Sequence, residues 1–193
     1  MKKLVVLFLS IITSMYLLGC ASMLFGTKYS YSYKLVKPES ADMKWEDDKI
    51  SLSFLIGDKE VSFKVKNKTN EVMKIIWDEA TLVQFGKAIK VMHAGVKYTD
   101  RNSSQPASTI PPGASIDDLI MPTDNVYFSS GKYGGWREQD LFPTQDMNEA
   151  KYKQSILDSK GQKFSVYLPI QYQGKTIDYT FEFEITDVQP LSK

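Results

Sequence analysis

Among its 193 residues the chain has one cysteine and one histidine. A single cysteine leaves no intrachain disulfide, so the hydrophobic core must hold the fold alone. His93 is then the only imidazole for either a catalytic base or a metal ligand, and a catalytic triad is recognised by geometry rather than by composition. Excess charge is also missing: 24 Lys+Arg stand against 23 Asp+Glu, which gives no electrostatic footprint for nucleic acid. No HExxH, GxSxG or P-loop pattern occurs, which removes the common zinc-protease, esterase and nucleotide-hydrolase signatures. Nor is there a repeat of about twenty to fifty residues or a Gly/Ser linker that would split the chain in two.

What is present begins at the N-terminus. Met1-Lys2-Lys3 is basic, Leu4 to Leu18 is almost wholly apolar, and no Asp or Glu precedes Cys20. That order is the pattern of a secretory signal peptide. The apolar run is shorter than the roughly twenty residues that span a bilayer.

The run ends in Leu17-Leu18-Gly19-Cys20, which resembles the lipobox of bacterial lipoproteins. The resemblance implies that the Cys20 sulfur carries a diacylglycerol thioether. It also implies cleavage between Gly19 and Cys20, with acylation of the new amine. Cys20 would then be consumed by its lipid and unavailable as a nucleophile. Each buried CH₂ contributes roughly 0.8 kcal/mol, so two or three chains hold a protein on a membrane without a spanning helix. Ala21 stands where Asp would favour inner-membrane retention in Gram-negative sorting. The implied address is therefore the outer membrane or, in an organism with one membrane, its outer face. We divide the chain into a cleaved signal peptide (1–19), a lipidated tether (20–28) and a β domain (29–193). Removal of the first 19 residues, with Lys2 and Lys3, leaves 174 residues and takes the charge from +1 to −1.

Period-two alternation dominates the remainder. Tyr29, Tyr31, Tyr33 and Leu35 alternate with Ser30, Ser32 and Lys34. Ile50, Leu52, Phe54 and Ile56 alternate with Ser51 and Ser53, and Val61, Phe63 and Val65 with Ser62, Lys64 and Lys66. Such patterns mark half-buried strands. Gly57-Asp58 is a turn signal, "VMKIIW" is a short apolar run with Trp77 in the core, and Gly86-Lys87 could turn "TLVQF" onto "AIKVMH". At the C-terminus, Phe164, Val166, Leu168, Ile170 and Tyr172 precede Gln173-Gly174-Lys175. Ile177, Tyr179, Phe181, Phe183 and Ile185 follow. This predicts a long antiparallel hairpin, with Pro169 at an edge or bulge because it has no N–H.

One helix is predicted in "PTQDMNEAKYKQSILDSKG", capped by Asp146 or Thr144 and ended by Gly161. Eight or nine strands with one short helix predict a mainly β fold, an antiparallel immunoglobulin-like β-sandwich. "NKTNEVMKIIW" and "STIPPGASIDDLI", with Pro112-Gly113 suited to a type II turn, resemble the immunoglobulin-like domains of bacterial envelope lipoproteins.

Residues Gly95 to Pro143 read as a long irregular segment, a feature that tends to be functional. Within it Tyr133, Trp136, Arg137 and Arg101 are candidate partner-binding residues, because Trp, Tyr and Arg are over-represented at binding hot spots. Trp136 could instead pin the segment to the sandwich. Asp117-Asp118 and Asp47-Asp48 are poor acid–base pairs, since neighbours on a strand face opposite ways. Calcium at Asp100, Asn102 or Asp124 lacks the spacing of a calcium loop. No cofactor or metal is expected. Two function classes remain: a non-enzymatic, membrane-anchored envelope lipoprotein that binds an envelope protein, a peptide or a glycan, and an extracytoplasmic hydrolase with a hidden site.

Overall fold

In the computed structural model, which describes residues 26–191, the alternating stretches form strands. In chain order these are β1 (Tyr29–Lys37), β2 (Glu39–Ser40), β3 (Lys44–Glu46), β4 (Ile50–Ile56), β5 (Val61–Asn67), β6 (Met73–Ile75), β7 (Thr81–Gln84) and β8 (Lys87–Met92). They continue with β9 (Ser108–Ile110), β10 (Ser115–Pro122), β11 (Val126–Ser129), β12 (Gly135–Glu138), the helix α1 (Ala150–Leu157), β13 (Lys163–Tyr172) and β14 (Lys175–Pro190). Signal peptide and Cys20 lie outside the described residues. Among those described, no helix is long and apolar enough to cross a membrane.

The fold is mainly β and antiparallel. Twelve strands share one sheet in the order β2-β1-β14-β13-β7-β8-β10-β5-β4-β3, with β6 and β9 attached beside β13. The join between β8 and β10 is thin, only Met121↔Met92 and Pro122↔Val91, and there the sheet folds over. Phe54 of β4 therefore meets Phe181 and Phe183 of β14 at 4.8 and 5.2 Å between ring centroids, although many strands separate them along the sheet. Trp45 of β3 closes the same seam against Tyr179 and Phe181. Of the inward residues read from alternation, Tyr31, Tyr33, Ile56, Tyr172 and Ile177 are half-buried against one core, while Ile50, Leu52, Phe54, Val61, Phe63, Val65, Phe181, Phe183 and Ile185 are buried in it. Each such side chain contributes roughly 1.5–3 kcal/mol by leaving water.

The predicted C-terminal hairpin is β13–β14, paired from Lys163↔Glu184 to Tyr172↔Lys175. Its turn residues Gln173 and Gly174 have φ of 49° and 75°. Phe85 and Gly86, at 51° and 74°, make the equivalent turn between β7 and β8. Positive φ at both central residues is the two-residue type I′ turn. The second turn thus sits one residue before the predicted Gly86-Lys87, and Lys87 is already in strand, paired with Gln84.

Four expectations need correction. The described residues hold fourteen strands rather than eight or nine, because β2, β3 and β9 are only two or three residues long and carry too little alternation to be read, and β11 and β12 lie in the segment read as irregular. Residues Gly95 to Pro143 are not one irregular loop, since β9 to β12 lie within them. Pro169 is not at an edge. It sits where β13 exchanges β7 for β6 as its neighbour, opposite Asp178, and its carbonyl accepts from Ile76 N at 3.0 Å. The helix starts after Glu149 with no side-chain cap. Asp146 instead accepts from the backbone N–H groups of Thr27 and Asn148.

Candidate partner-binding site

Three of the four predicted site residues, Tyr133, Trp136 and Arg137, fall on a small two-stranded hairpin that stands apart from the main sheet, and Arg101 lies after the turn Tyr98–Asp100. β11 pairs with β12 in the register Val126↔Glu138, Tyr127↔Arg137, Phe128↔Trp136 and Ser129↔Gly135. Strand alternation then gives the hairpin two faces. One carries Val126, Phe128, Trp136 and Glu138; the other carries Tyr127 and Arg137.

The first face anchors. Val126 is buried with Met92 and Met121, and Val96, Tyr98, Leu119 and Trp136 pack around them. The half-buried Trp136 meets Tyr98 edge-on at 5.9 Å and Phe128 at 5.6 Å. The Arg101 guanidinium lies 5.1 Å from its ring centroid. Arg101 is itself held by donating from Nη1 to the Tyr98 carbonyl at 3.0 Å. Such a cation–π contact at a partly exposed site contributes about 0.5–1 kcal/mol. At the strand's end Glu138 accepts from the Tyr98 hydroxyl and, at 2.6 Å, from Lys59 Nζ.

The Lys59 ammonium, and after it the Tyr98 hydroxyl, hold the Glu138 carboxyl below the usual carboxylate range. A carboxyl whose folded pKa is lowered stabilises fully above the ordinary range, and that contribution is lost as pH falls through the lowered value. Acidification below about pH 4 should therefore lower the protection of the β12 backbone amides, taken relative to the intrinsic exchange rate at each pH. Glu138→Gln should show the lower protection already at neutral pH, with no further loss on acidification. An unchanged profile in Glu138→Gln would remove this clasp from the account.

The second face is open: Tyr127 is 48% exposed, and Tyr133 at the hairpin tip is 80% exposed. On the first face Phe128, beyond Trp136, is also left 61% exposed. Arg137 braces the tip by donating from Nη2 to the Tyr133 carbonyl at 2.7 Å and from Nη1 to the Trp136 carbonyl at 3.2 Å. Gly134 is required by crowding, since a Cβ there would lie 2.7 Å from the Ser129 carbonyl oxygen. Among the four predicted residues, then, Arg101 joins Trp136 beneath the hairpin, and Tyr133 joins Arg137 at its tip. The two pairs use opposite faces. Sequence reasoning missed Tyr127, Phe128, Lys59 and Glu138 as members of this unit. The Tyr127-Phe128 doublet was the available signal.

His93 is built differently. Its ring stacks on Trp77 at 4.3 Å with planes 2° apart, and Nδ1 lies 3.3 Å from Asp118 Oδ2. Asp118 is fixed by Ala94 N and Leu119 N, which donate to Oδ1 at 2.9 and 2.8 Å. The two side chains are 13% and 8% exposed. Asp117 points the opposite way, to an exposed contact with Lys64. His93 borders a cleft of about 380 Å³ with Lys97, Asp100, Ser104 and Gln105. The Ser104 hydroxyl in that cleft donates to Asp78. Asp124 is paired with Lys87 at 2.6 Å. Among the described residues no three His, Cys, Asp or Glu side chains converge to hold a metal. A larger groove, about 590 Å³, runs along the outer side of β3, β4 and β5 past Trp45, Lys64 and Lys66, away from the hairpin.

The chain matches no protein-family model, and no curated protein is similar to it. Its fold has a distant likeness to the crystal structure of a candidate lipoprotein, ycdA, from Bacillus subtilis subsp. subtilis str. 168, at 12% identity and a TM-score of 0.42. The likeness covers 77% of this chain and 40% of that one. At that score it says nothing of this chain's chemistry.

Proposed function

We propose that the chain is a lipid-anchored protein of the bacterial cell envelope, held through Cys20 on the outer membrane or, where there is one membrane, on its outer face. Its β domain binds a partner without catalysis, through the tip and open face of the β11–β12 hairpin. The lipobox-like Leu17-Leu18-Gly19-Cys20 supports the anchor. An immunoglobulin-like assignment is supported by strand order: β4-β5-β10 faces β8-β7-β13-β14, the arrangement of A-B-E against C′-C-F-G. β1, added antiparallel beside β14, lies outside that scheme.

The observation that carries the binding reading is the asymmetry of the hairpin. One face is clasped by Tyr98, Arg101 and Lys59, while Tyr127 and Tyr133 stand in solvent. Rigid aromatics presented from a fixed support suit a glycan, a peptide or an envelope protein, because contact area is gained with little ordering cost.

Tyr127→Ala with Tyr133→Ala should leave thermal stability within about 0.5 kcal/mol. It should weaken capture of the partner from envelope extract by about 2 kcal/mol or more, some thirty-fold. Trp136→Ala should do the reverse first, costing about 2 kcal/mol of stability, since a fully buried Trp→Ala change costs about 3–5. Full capture by the double tyrosine variant would overturn the site.

The His93–Asp118 pair favours a second reading, the extracytoplasmic hydrolase. Hydrolysis of an ester, peptide or glycan substrate that disappears in His93→Gln would favour it over the binding module.

A further inference from the structure

We propose that the domain rests on the bilayer surface through the face around its tether exit, namely Met147, Tyr152, Leu157 and Leu191 with Lys28, Lys151 and Lys153. The proposal builds on the reading of Cys20 as the lipid anchor.

The place where the chain leaves the domain is fixed. Thr27 N donates to Asp146 Oδ1 at 2.8 Å, and Asp146 N donates to the Thr27 carbonyl at 3.2 Å. Tyr29 reaches the same carboxylate through its hydroxyl at 3.2 Å. Gly26 is seated so closely that a Cβ would lie 2.3 Å from Asp146 Oδ1 and 2.7 Å from the backbone nitrogens of Met147 and Asn148. Leu191 N donates to the Lys28 carbonyl at 2.8 Å. Residues 26–28, assigned to the tether from the sequence, are therefore clamped to the body, and the exit lies against Met147 and beside Leu191.

The spacer between lipid and clamp is short. Five residues lie between Cys20 and Gly26, six Cα-to-Cα steps and a reach of at most about 20 Å. A domain of this size has a radius of gyration of about 15 Å. The face that carries Gly26 must therefore stay close to the membrane.

The surface at the exit has the matching chemistry. Helix α1 buries only Ile156 of its eight residues, so it adds little to the core. Around it Met147 is 57% exposed and Leu191 52%, with Tyr152 and Leu157 also open. Met147 and Asn148 both hold a left-handed backbone, φ 51° and 60°, a conformation that persists only where its surroundings fix it. Lys151 Nζ sits 4.7 Å over the Tyr152 ring, Lys28 is exposed where it bridges to Gln145, and Lys153 is exposed on the helix. Lysines extend apolar stems along such a surface with their charge at headgroup level, and tyrosine favours the same layer. Glu149 and Asp158 leave the charge close to balanced. The occupant we assign is thus the interfacial layer of a bilayer, engaged by apolar contact more than by charge.

The test uses the mature lipidated protein in vesicles of phosphatidylethanolamine and phosphatidylglycerol. Cys20 is the chain's one cysteine, so once it is lipidated a cysteine introduced by Tyr152→Cys or Met147→Cys is the sole thiol for an environment-sensitive dye. Emission should rise about two-fold or more as the dye enters the headgroup boundary, relative to the same protein in solution without lipid. Dye at Asp117→Cys, on the exposed side of β10, should not change. Mass spectrometry of the same samples reads the acyl chains on Cys20 separately. If they are absent, attachment of the chain to nickel-chelating lipid through a hexahistidine placed before Ala21 still decides the face. An unchanged signal at 152 and 147 on vesicles would overturn the proposal. So would a rise that follows the surface density of protein rather than the presence of lipid, because copies would then be covering one another.

Discussion

Trp77→Ala is expected to destabilise the domain by about 3–5 kcal/mol, the cost of truncating a fully buried tryptophan. In a chain of this size that is a fall of roughly 10 °C or more in melting midpoint. Trp77 has no exposed surface. Its ring lies flat on His93 at 4.3 Å and inclined to Phe63 at 6.2 Å. Its indole Nε1 donates to Ser108 Oγ at 2.8 Å. The residue thus links β5, the end of β8 and β9, which belong to both layers of the folded sheet. Removal leaves a cavity, frees His93 from its stack and strands the Ser108 hydroxyl. Trp77→Phe keeps the ring contact but not the donor, so its cost should be clearly smaller. Chemical denaturation of the two variants checks this, and equal losses would mean that the hydrogen bond, not the packing, dominates.

A second large loss is expected at Asn67, which is also fully buried. Nδ2 donates to the carbonyls of Glu71, Ile110 and Pro111 at 2.7, 3.0 and 3.2 Å. Oδ1 accepts from Thr69 N and Thr69 Oγ1 at 2.9 and 2.8 Å. One side chain therefore closes the turn after β5 and ties it to the turn between β9 and β10. Asn67→Leu leaves several polar groups without partners at about 1–3 kcal/mol each, so a loss of about 3 kcal/mol or more is expected. Asn67→Asp is nearly isosteric, yet it turns two donors into acceptors facing three carbonyls. It should be no less damaging. Denaturation in which Asn67→Asp matches the parent would show that shape, and not hydrogen bonding, matters here.

These two residues also show what the sequence could convey. Trp77 was readable as core because it ends an apolar run. The Asn67 network was not, because besides Thr69 and Glu71 its partners Ile110 and Pro111 lie more than forty positions away. Strands β1, β4, β5, β13 and β14 were legible because each buries one face over seven or more residues, long enough for a period of two to stand out. Strands β2, β3 and β9 are two or three residues long and leave no such trace, whereas β6 showed as the apolar run before Trp77. Pro169 misled through a sound rule: it avoids a neighbour's carbonyl, but at a change of partner inside the sheet. The helix signal came from spacing, whereas only Ile156 is buried, so its caps were free to differ from the expected pattern.

At the candidate site, composition singled out Tyr133, Trp136, Arg137 and Arg101, but not their division between two faces. That division needs the β11–β12 register, which four-residue strands do not announce. The proximity of Arg101 to Trp136, thirty-five positions away, needs the turn at Tyr98–Asp100 to fold under the hairpin. His93 was a lone imidazole in the sequence, and Asp118 is brought to it only by the meeting of β8 and β10.

The central claim is the lipid on Cys20, and metabolic labelling with radioactive palmitate in a bacterial host tests it most directly. The parent chain should carry label and migrate as a product shorter by the 19 residues before Cys20, while Cys20→Ala should be unlabelled and remain the full-length precursor. Label that survives Cys20→Ala, or a parent chain that takes up none, would contradict the account.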